Sequence, residues 1–151
     1  MKKHILTLLG SLAITAAAFA HGDIELGPNG GRILEFSKNE TMHGEVTLKD
    51  GKFHIAVLDK DMKPVALAGQ TLTANGGPSG KAEKMAVEKS GDHFVVPAVK
   101  PGEWLIFQFK ENAQAKAITA RLQYDTAICP KCKAGEWLCK CAAGEDKKGE
   151  K

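Results

Sequence analysis

Apolar and polar residues alternate in short runs along the central part of the chain, with turn residues between the runs. Successive side chains of a strand point to opposite faces, so this period of two predicts half-buried β-strands. In one such run, Leu105, Phe107 and Phe109 fall on the same face. The predicted strands are Arg32–Phe36, Met42–Lys49, Lys52–Leu58, Thr71–Asn75, Glu83–Glu88, His93–Pro97, Trp104–Lys110 and Ala117–Tyr124.

The dipeptide Asp50-Gly51 lies between two alternating runs and predicts a tight two-residue hairpin turn. Such a turn fixes the register of the two strands and places His43 opposite Leu58. His43 and His54 then share a face but are offset by four residues, roughly 13 Å at about 3.3 Å per residue. In this register the two histidines are too far apart to bind the same ion.

Short strands at roughly ten-residue spacing, without an amphipathic helix, indicate an all-β protein. The predicted fold is an immunoglobulin-like β-sandwich of about seven to nine strands, formed by residues 21–125. A cysteine cluster follows in residues 126–141. Residues 142–151 contain almost nothing apolar to bury, so we expect this charged tail to be disordered.

The start of the chain has the three parts of a cleavable signal peptide. Lys2 and Lys3 precede an uncharged apolar stretch, residues 5–18, and residues 18–20 (Ala-Phe-Ala) form a small-x-small cleavage site. The apolar stretch is shorter than the about 20 residues that a membrane helix needs. We therefore expect residues 1–20 to be removed, leaving an exported protein, periplasmic or secreted, with no membrane span.

The charge of the mature chain is close to neutral. The whole chain has a formal net charge of +3, and the two lysines of the leader contribute two of these charges. A surface with so little excess charge argues against nucleic acid or an anionic membrane as the main partner.

All four cysteines fall within thirteen residues near the end of the chain, and they are Cys129, Cys132, Cys139 and Cys141. Thiolates select zinc or cuprous copper, and Cys-x-x-Cys is a common ligand spacing. Lys131, Lys133 and Lys140 place positive charge beside the thiols and favour their ionised form. The cluster therefore predicts a metal site for zinc or copper.

Two other roles for the cysteines stay open at this point. An even number of cysteines in an exported chain is typical of disulfides, which would give two bonds in one of three pairings. The pairing of Cys139 with Cys141 is the least favourable, because cysteines so close in sequence rarely reach disulfide geometry. The Cys129–Cys132 pair also has the spacing of a redox dithiol, without the strand-to-helix context of one.

Two histidines are weaker candidate metal ligands. Cleavage would make His21 the first residue, and a free amine with an adjacent imidazole can chelate cupric copper. His43 shares a strand face with Glu45. If His43 is not a ligand, this face is expected to be an exposed polar surface. His93 follows Asp92 in a predicted turn and would join His21 only if the fold brought them together.

The sequence contains no recognisable catalytic motif. It has no Gly-x-Ser-x-Gly, no His-Glu-x-x-His and no phosphate-binding glycine motif. We therefore expect the protein not to be an enzyme. Trp104 and Trp137 are predicted to lie in the core or at its edge.

Residues 26–35 (Leu-Gly-Pro-Asn-Gly-Gly-Arg-Ile-Leu-Glu), together with residues 42–46 and 57–65, resemble small exported bacterial β-sandwich proteins associated with heavy-metal efflux. Those proteins have a His-Gly-Pro-His-Gly-Gly-like start. This chain has Asn29 where a histidine is expected, and it keeps only His21 of the N-terminal histidines. The resemblance implies an exported sandwich with a metal efflux component as a partner.

The leading functional hypothesis is a non-enzymatic zinc- or copper-binding protein that buffers metal or hands it to an export system. The alternative is a structural or adhesive envelope module with two disulfides in its tail. A thiol-disulfide enzyme is the third. Free thiols favour the first, full oxidation favours the second, and one fast-reacting acidic cysteine favours the third.

Overall fold

The computed structural model describes residues 24–141, so the predicted leader, His21 and the charged tail 142–151 lie outside the described residues. Within this range the chain forms nine β-strands and a short 3₁₀ turn, Glu136–Leu138, but no α-helix. The strands are β1 Arg32–Glu35, β2 Met42–Lys49, β3 Lys52–Asp59, β4 Thr71–Gly77, β5 Glu83–Met85, β6 Glu88–Ser90, β7 His93–Pro97, β8 Trp104–Lys110 and β9 Ile118–Gln123.

The strands form two antiparallel sheets, which confirms the predicted β-sandwich. One sheet has five strands in the order β1-β2-β3-β7-β6, and the other has four in the order β5-β4-β8-β9. The hairpin of β2 and β3 has the predicted register, with Lys49 opposite Lys52 and His43 opposite Leu58. Asp50 and Gly51 both have positive φ, as a two-residue turn between twisted strands requires.

The core lies between the sheets and contains the residues that the alternation predicts. Leu105, Phe107 and Phe109 from β8 are fully buried. Phe36, just after β1, stacks on Phe109 with ring centroids 4.5 Å apart. The same core contains other fully buried side chains, among them Phe53, Ile55 and Val57 of β3, Val46, Phe94, Val96 and Leu122.

The predicted strand Glu83–Glu88 is wrong, because this segment forms two strands in different sheets. Met85 pairs with Ala74 in the four-stranded sheet. Glu88 pairs with Val95 in the five-stranded sheet. The chain crosses from one sheet to the other between them, and Val87 packs against the core at the crossing. Alternation depends only on neighbouring residues in the sequence. It therefore does not show that the chain leaves one sheet and enters the other between Met85 and Glu88.

The part of the outer face of the five-stranded sheet that carries His43 and Glu45 is covered, so the expectation of an exposed polar face there is also wrong. His43 is 4% exposed and Glu45 is 1% exposed. A second, smaller apolar cluster lies on this side, consisting of Ile33, Ala56, Leu58 and the partly buried Met62.

A glycine-rich segment before β1 covers Glu45 and binds its carboxylate. The backbone N–H and side-chain amide of Asn29 donate to the two carboxylate oxygens, each at 2.7 Å. The backbone N–H of Gly31 donates at 3.0 Å. A Cβ atom on Gly27 would lie 2.6 Å from Glu45 Cδ, and one on Gly31 would lie 2.5 Å from the Val46 carbonyl oxygen. These contacts explain why glycines occupy both positions.

Replacing Glu45 with alanine is expected to lower the free energy of unfolding by about 2 kcal/mol, because a buried donor without a partner costs about 1–3 kcal/mol. The cost falls mainly on the Gly31 N–H, since Gly31 is buried whereas water can reach Asn29. Urea unfolding of the mature protein measures the change. Glu83→Ala, at an exposed position of β5, is the matched control and should change stability by less than about 0.5 kcal/mol. Equal effects of the two substitutions would contradict a structural role for the Glu45 carboxylate.

Candidate metal centre

The four cysteine sulfurs lie together in one cluster, all within 4.8 Å of one another. The Sγ atoms of Cys129 and Cys141 are 3.8 Å apart, and those of Cys132 and Cys139 are 3.6 Å apart. Four sulfurs at the zinc–sulfur distance of about 2.3 Å in a tetrahedron would be about 3.8 Å from one another. No disulfide joins any two of the four cysteines. The cluster can therefore hold a metal ion with little rearrangement.

The first pair is positioned by a tight loop that begins directly at Cys129. The Cys129 N–H donates to the Ala134 carbonyl at 2.8 Å, and the Lys133 N–H donates to the Cys129 carbonyl at 2.9 Å. Lys133 has a φ of 62°, which reverses the chain after Cys132. A β-bridge between residues 128 and 135 closes the loop. This turn brings Cys129 and Cys132 to the same side.

The second pair follows the 3₁₀ turn. The Cys139 N–H donates to the Glu136 carbonyl at 3.1 Å and so ends the turn. Cys139 itself has extended backbone angles. Residues two apart in an extended segment point to the same side, which directs Cys141 and Cys139 to one ion. The Cys141 N–H also donates to the Cys139 sulfur at 3.4 Å.

Trp137 attaches the cysteine segment to the sandwich, as predicted for a core tryptophan. Its side chain is 8% exposed. Its ring packs edge-on against Phe53 at 5.9 Å and Tyr124 at 5.5 Å between ring centroids. Arg32 Nη1 donates to the Trp137 carbonyl at 3.2 Å, and the Trp137 N–H donates to the Asp125 carbonyl at 2.9 Å. Trp137 therefore attaches the segment that carries the cysteines to the folded domain.

Hydrogen bonds to sulfur give the thiols different acidities. Backbone N–H groups of Cys132 and Lys131 lower the pKa of Cys129 to about 7. The Cys141 N–H lowers the pKa of Cys139, but the hydrogen bond with Cys129 and burial outweigh it and raise that pKa to about 12. Burial raises the pKa of Cys141. A metal ion must therefore displace protons from Cys139 and Cys141, whereas Cys129 is partly ionised at neutral pH.

The four cysteines differ in their exposure to solvent. Cys129 and Cys139 are each 4% exposed. Cys141 is half-buried and Cys132 is exposed. Ile128, which directly precedes Cys129, is 65% exposed. An ion held by the four sulfurs would meet solvent or an incoming ligand at Cys132.

The histidines lie elsewhere in the described residues. Nδ1 of His43 is 3.0 Å from Glu35 Oε1, and His43 does not join the group of potential ligands that the cysteines form. His54 and His93 come together instead, with ring centroids 6.1 Å apart. This pair could not be predicted from the sequence, because it depends on the pairing of β3 with β7, two strands that no short turn connects.

Comparisons with known proteins give no relative for this chain. No family model, no curated protein and no solved structure matches it. The resemblance to metal-efflux proteins therefore stays a prediction. In residues 24–141, no helix has the length and apolar character needed to cross a bilayer.

Proposed function

We propose that this protein is a non-enzymatic metal-binding protein that holds one zinc ion between Cys129, Cys132, Cys139 and Cys141. The observation that carries the proposal is the approach of all four sulfurs to within 4.8 Å of one another. Their distances in two pairs, 3.8 Å and 3.6 Å, are close to the sulfur separation of a tetrahedral zinc site.

Zinc is the first choice because four thiolates in a tetrahedral arrangement are its usual structural ligands. Cuprous copper is the second, since thiolates also select it. When bound, zinc would supply a doubly positive charge that holds the four thiolates together.

The surroundings of the cluster suit a thiolate site. Four thiolates and one zinc ion carry a net charge of −2. Backbone N–H groups of three residues donate to the sulfurs and offset part of this charge. Lys131, Lys133 and Lys140 lie in the same segment and add positive charge around the site.

The exposure of Cys132 supports a role in buffering or carrying metal. An ion enclosed on all sides exchanges slowly, whereas an exposed ligand can be replaced by a donor from an acceptor molecule. The open side at Cys132 would be the point at which the ion is taken up and released. Cys129 and Cys139 would hold the ion on the buried side.

We place this activity outside the cytoplasm, in a periplasm or after secretion. The support for this is the signal-peptide pattern of residues 1–20. The resemblance of residues 26–35 to exported efflux-associated proteins supports a metal export component as the recipient of the ion.

A combined count of metal and thiols tests the proposal. The chain is expressed with its own leader, and the mature form is isolated without oxygen. Metal is measured by mass spectrometry and thiols by titration after denaturation. We expect about one zinc per chain with four titratable thiols, as a tetrahedral thiolate site requires. The absence of both metal and free thiols would instead identify a structural module with two disulfides. The sulfur contacts of 3.8 Å and 3.6 Å are compatible with Cys129–Cys141 and Cys132–Cys139 as their pairing.

A further inference from the structure

We infer that His54 and His93 form a second metal site, on the outer face of the five-stranded sheet. The site would bind a divalent cation of the late first transition row, with Zn²⁺ as the reference ion. Imidazole nitrogens suit these cations. The inference does not depend on the cysteine cluster, because the two sites share no residue.

The pairing of β3 with β7 brings the two histidines together. Ala56 lies opposite His93, and His54 lies opposite Val95. His54 and Ala56 are two residues apart on β3 and share a face, so His54 and His93 are diagonal neighbours on that face. Their rings are 6.1 Å apart between centroids and stand at 76° to each other.

This separation fits two imidazoles bound to one ion. With metal–nitrogen bonds of about 2.0–2.1 Å, two ligand rings have centroids about 5 Å apart at a tetrahedral angle and about 6.4 Å apart in a linear arrangement. The observed 6.1 Å lies inside this range. Rotation of the side chains by a small amount would bring the rings to the tetrahedral separation.

Asp92 contacts the ring of His93 and orients it as a metal ligand. Its Oδ1 atom lies 2.5 Å from Nδ1 of His93. A carboxylate at one ring nitrogen fixes the tautomer and the ring orientation and raises the basicity of the other nitrogen. Nε2 of His93 is then the free ligand atom. Carboxylate, histidine and metal form a recurrent arrangement in metal sites.

The site is open to solvent. The side chain of His93 is 38% exposed and that of Asp92 is 59% exposed. His54 is half-buried. Two protein ligands leave the other positions of the ion to water or to a donor from another molecule. An ion bound here would therefore exchange readily and bind more weakly than one held by four thiolates.

Zinc titration calorimetry of the reduced mature chain tests the inference. We expect a tight phase from the cysteines and a weaker phase from the histidines. His54→Ala and His93→Ala should each remove the weaker phase and leave the tight one. Asp92→Ala should weaken it by about 10–100-fold, the usual effect of losing an outer hydrogen-bond partner of a ligand. Glu83→Ala, which removes an exposed carboxylate on β5 of the other sheet, is the control and should leave both phases unchanged.

A second readout needs no variant. In the wild-type protein, nuclear magnetic resonance should show zinc-dependent shifts of the His54 and His93 rings over the same concentration range as the weaker phase. Absence of a weaker phase, its survival in His54→Ala and His93→Ala, or its loss in Glu83→Ala would each overturn the inference. A weaker phase without a tight one would support the histidine site and contradict the proposed thiolate site, so the two failures are distinguishable.

Discussion

Replacing Cys139 with serine is expected to lower the zinc affinity of the mature protein by more than a hundredfold. Loss of a hydrogen-bond partner outside the ligands already costs about 10–100-fold in metal proteins, and loss of a ligand costs more. Cys139 lies on the buried side of the cluster, 3.6 Å from the Cys132 sulfur, so water cannot readily take its place. Competition with a chelator of known zinc affinity measures the change.

Cys132→Ser is the matched comparison because Cys132 is the exposed member of the cluster. Water can complete the coordination there, as it does in zinc sites with three protein ligands. We expect a smaller loss of affinity than for Cys139→Ser and a faster transfer of zinc to the chelator. If Cys139→Ser binds zinc as tightly as the wild type, the four-thiolate site is wrong. If Cys132→Ser and Cys139→Ser release zinc at equal rates, Cys132 is not the point of exchange.

Replacing Trp137 with alanine is expected to lower the free energy of unfolding by about 3 kcal/mol, at the lower end of the range for buried aromatic residues. The substitution removes both edge-on ring contacts, to Phe53 and to Tyr124. It also frees the segment that carries the cysteines, so zinc affinity should fall because the ion must then order that segment. Urea unfolding and the chelator competition measure the two effects.

Trp104→Ala is the control, because Trp104 is the other tryptophan and is only half-buried at the start of β8. We expect it to cost less stability than Trp137→Ala and to leave zinc affinity unchanged. Equal zinc affinities in Trp137→Ala and the wild type would mean that the cysteine segment is ordered without its attachment to the sandwich.

Most of the strands and the hairpin register could be predicted from the sequence because both depend on local chemistry. Alternation with a period of two identifies which face of a strand is apolar, and Leu105, Phe107 and Phe109 are buried as this requires. Asp50-Gly51 fixes the turn, which fixes the pairing of His43 with Leu58. The cysteine cluster could also be predicted, since thirteen residues contain all four thiols.

Three features could not be predicted, because each depends on contacts between segments distant in sequence. The burial of Glu45 depends on a glycine-rich segment folding back over the sheet. The division of residues 83–88 depends on which sheet each half can pair with. The approach of His54 to His93 depends on β7 returning to pair with β3.

The sequence by itself determined most of the strands and turns of this protein and which metal-binding residues it contains. It also determined that Cys129, Cys132, Cys139 and Cys141 would be neighbours along the chain. Only the tertiary structure decided that Trp137 anchors them on the sandwich, that Cys139 is buried while Cys132 is exposed, and that two distant histidines meet. The physical reason is that alternation and turn chemistry act over a few residues, whereas burial and strand pairing are settled by the packing of the whole chain.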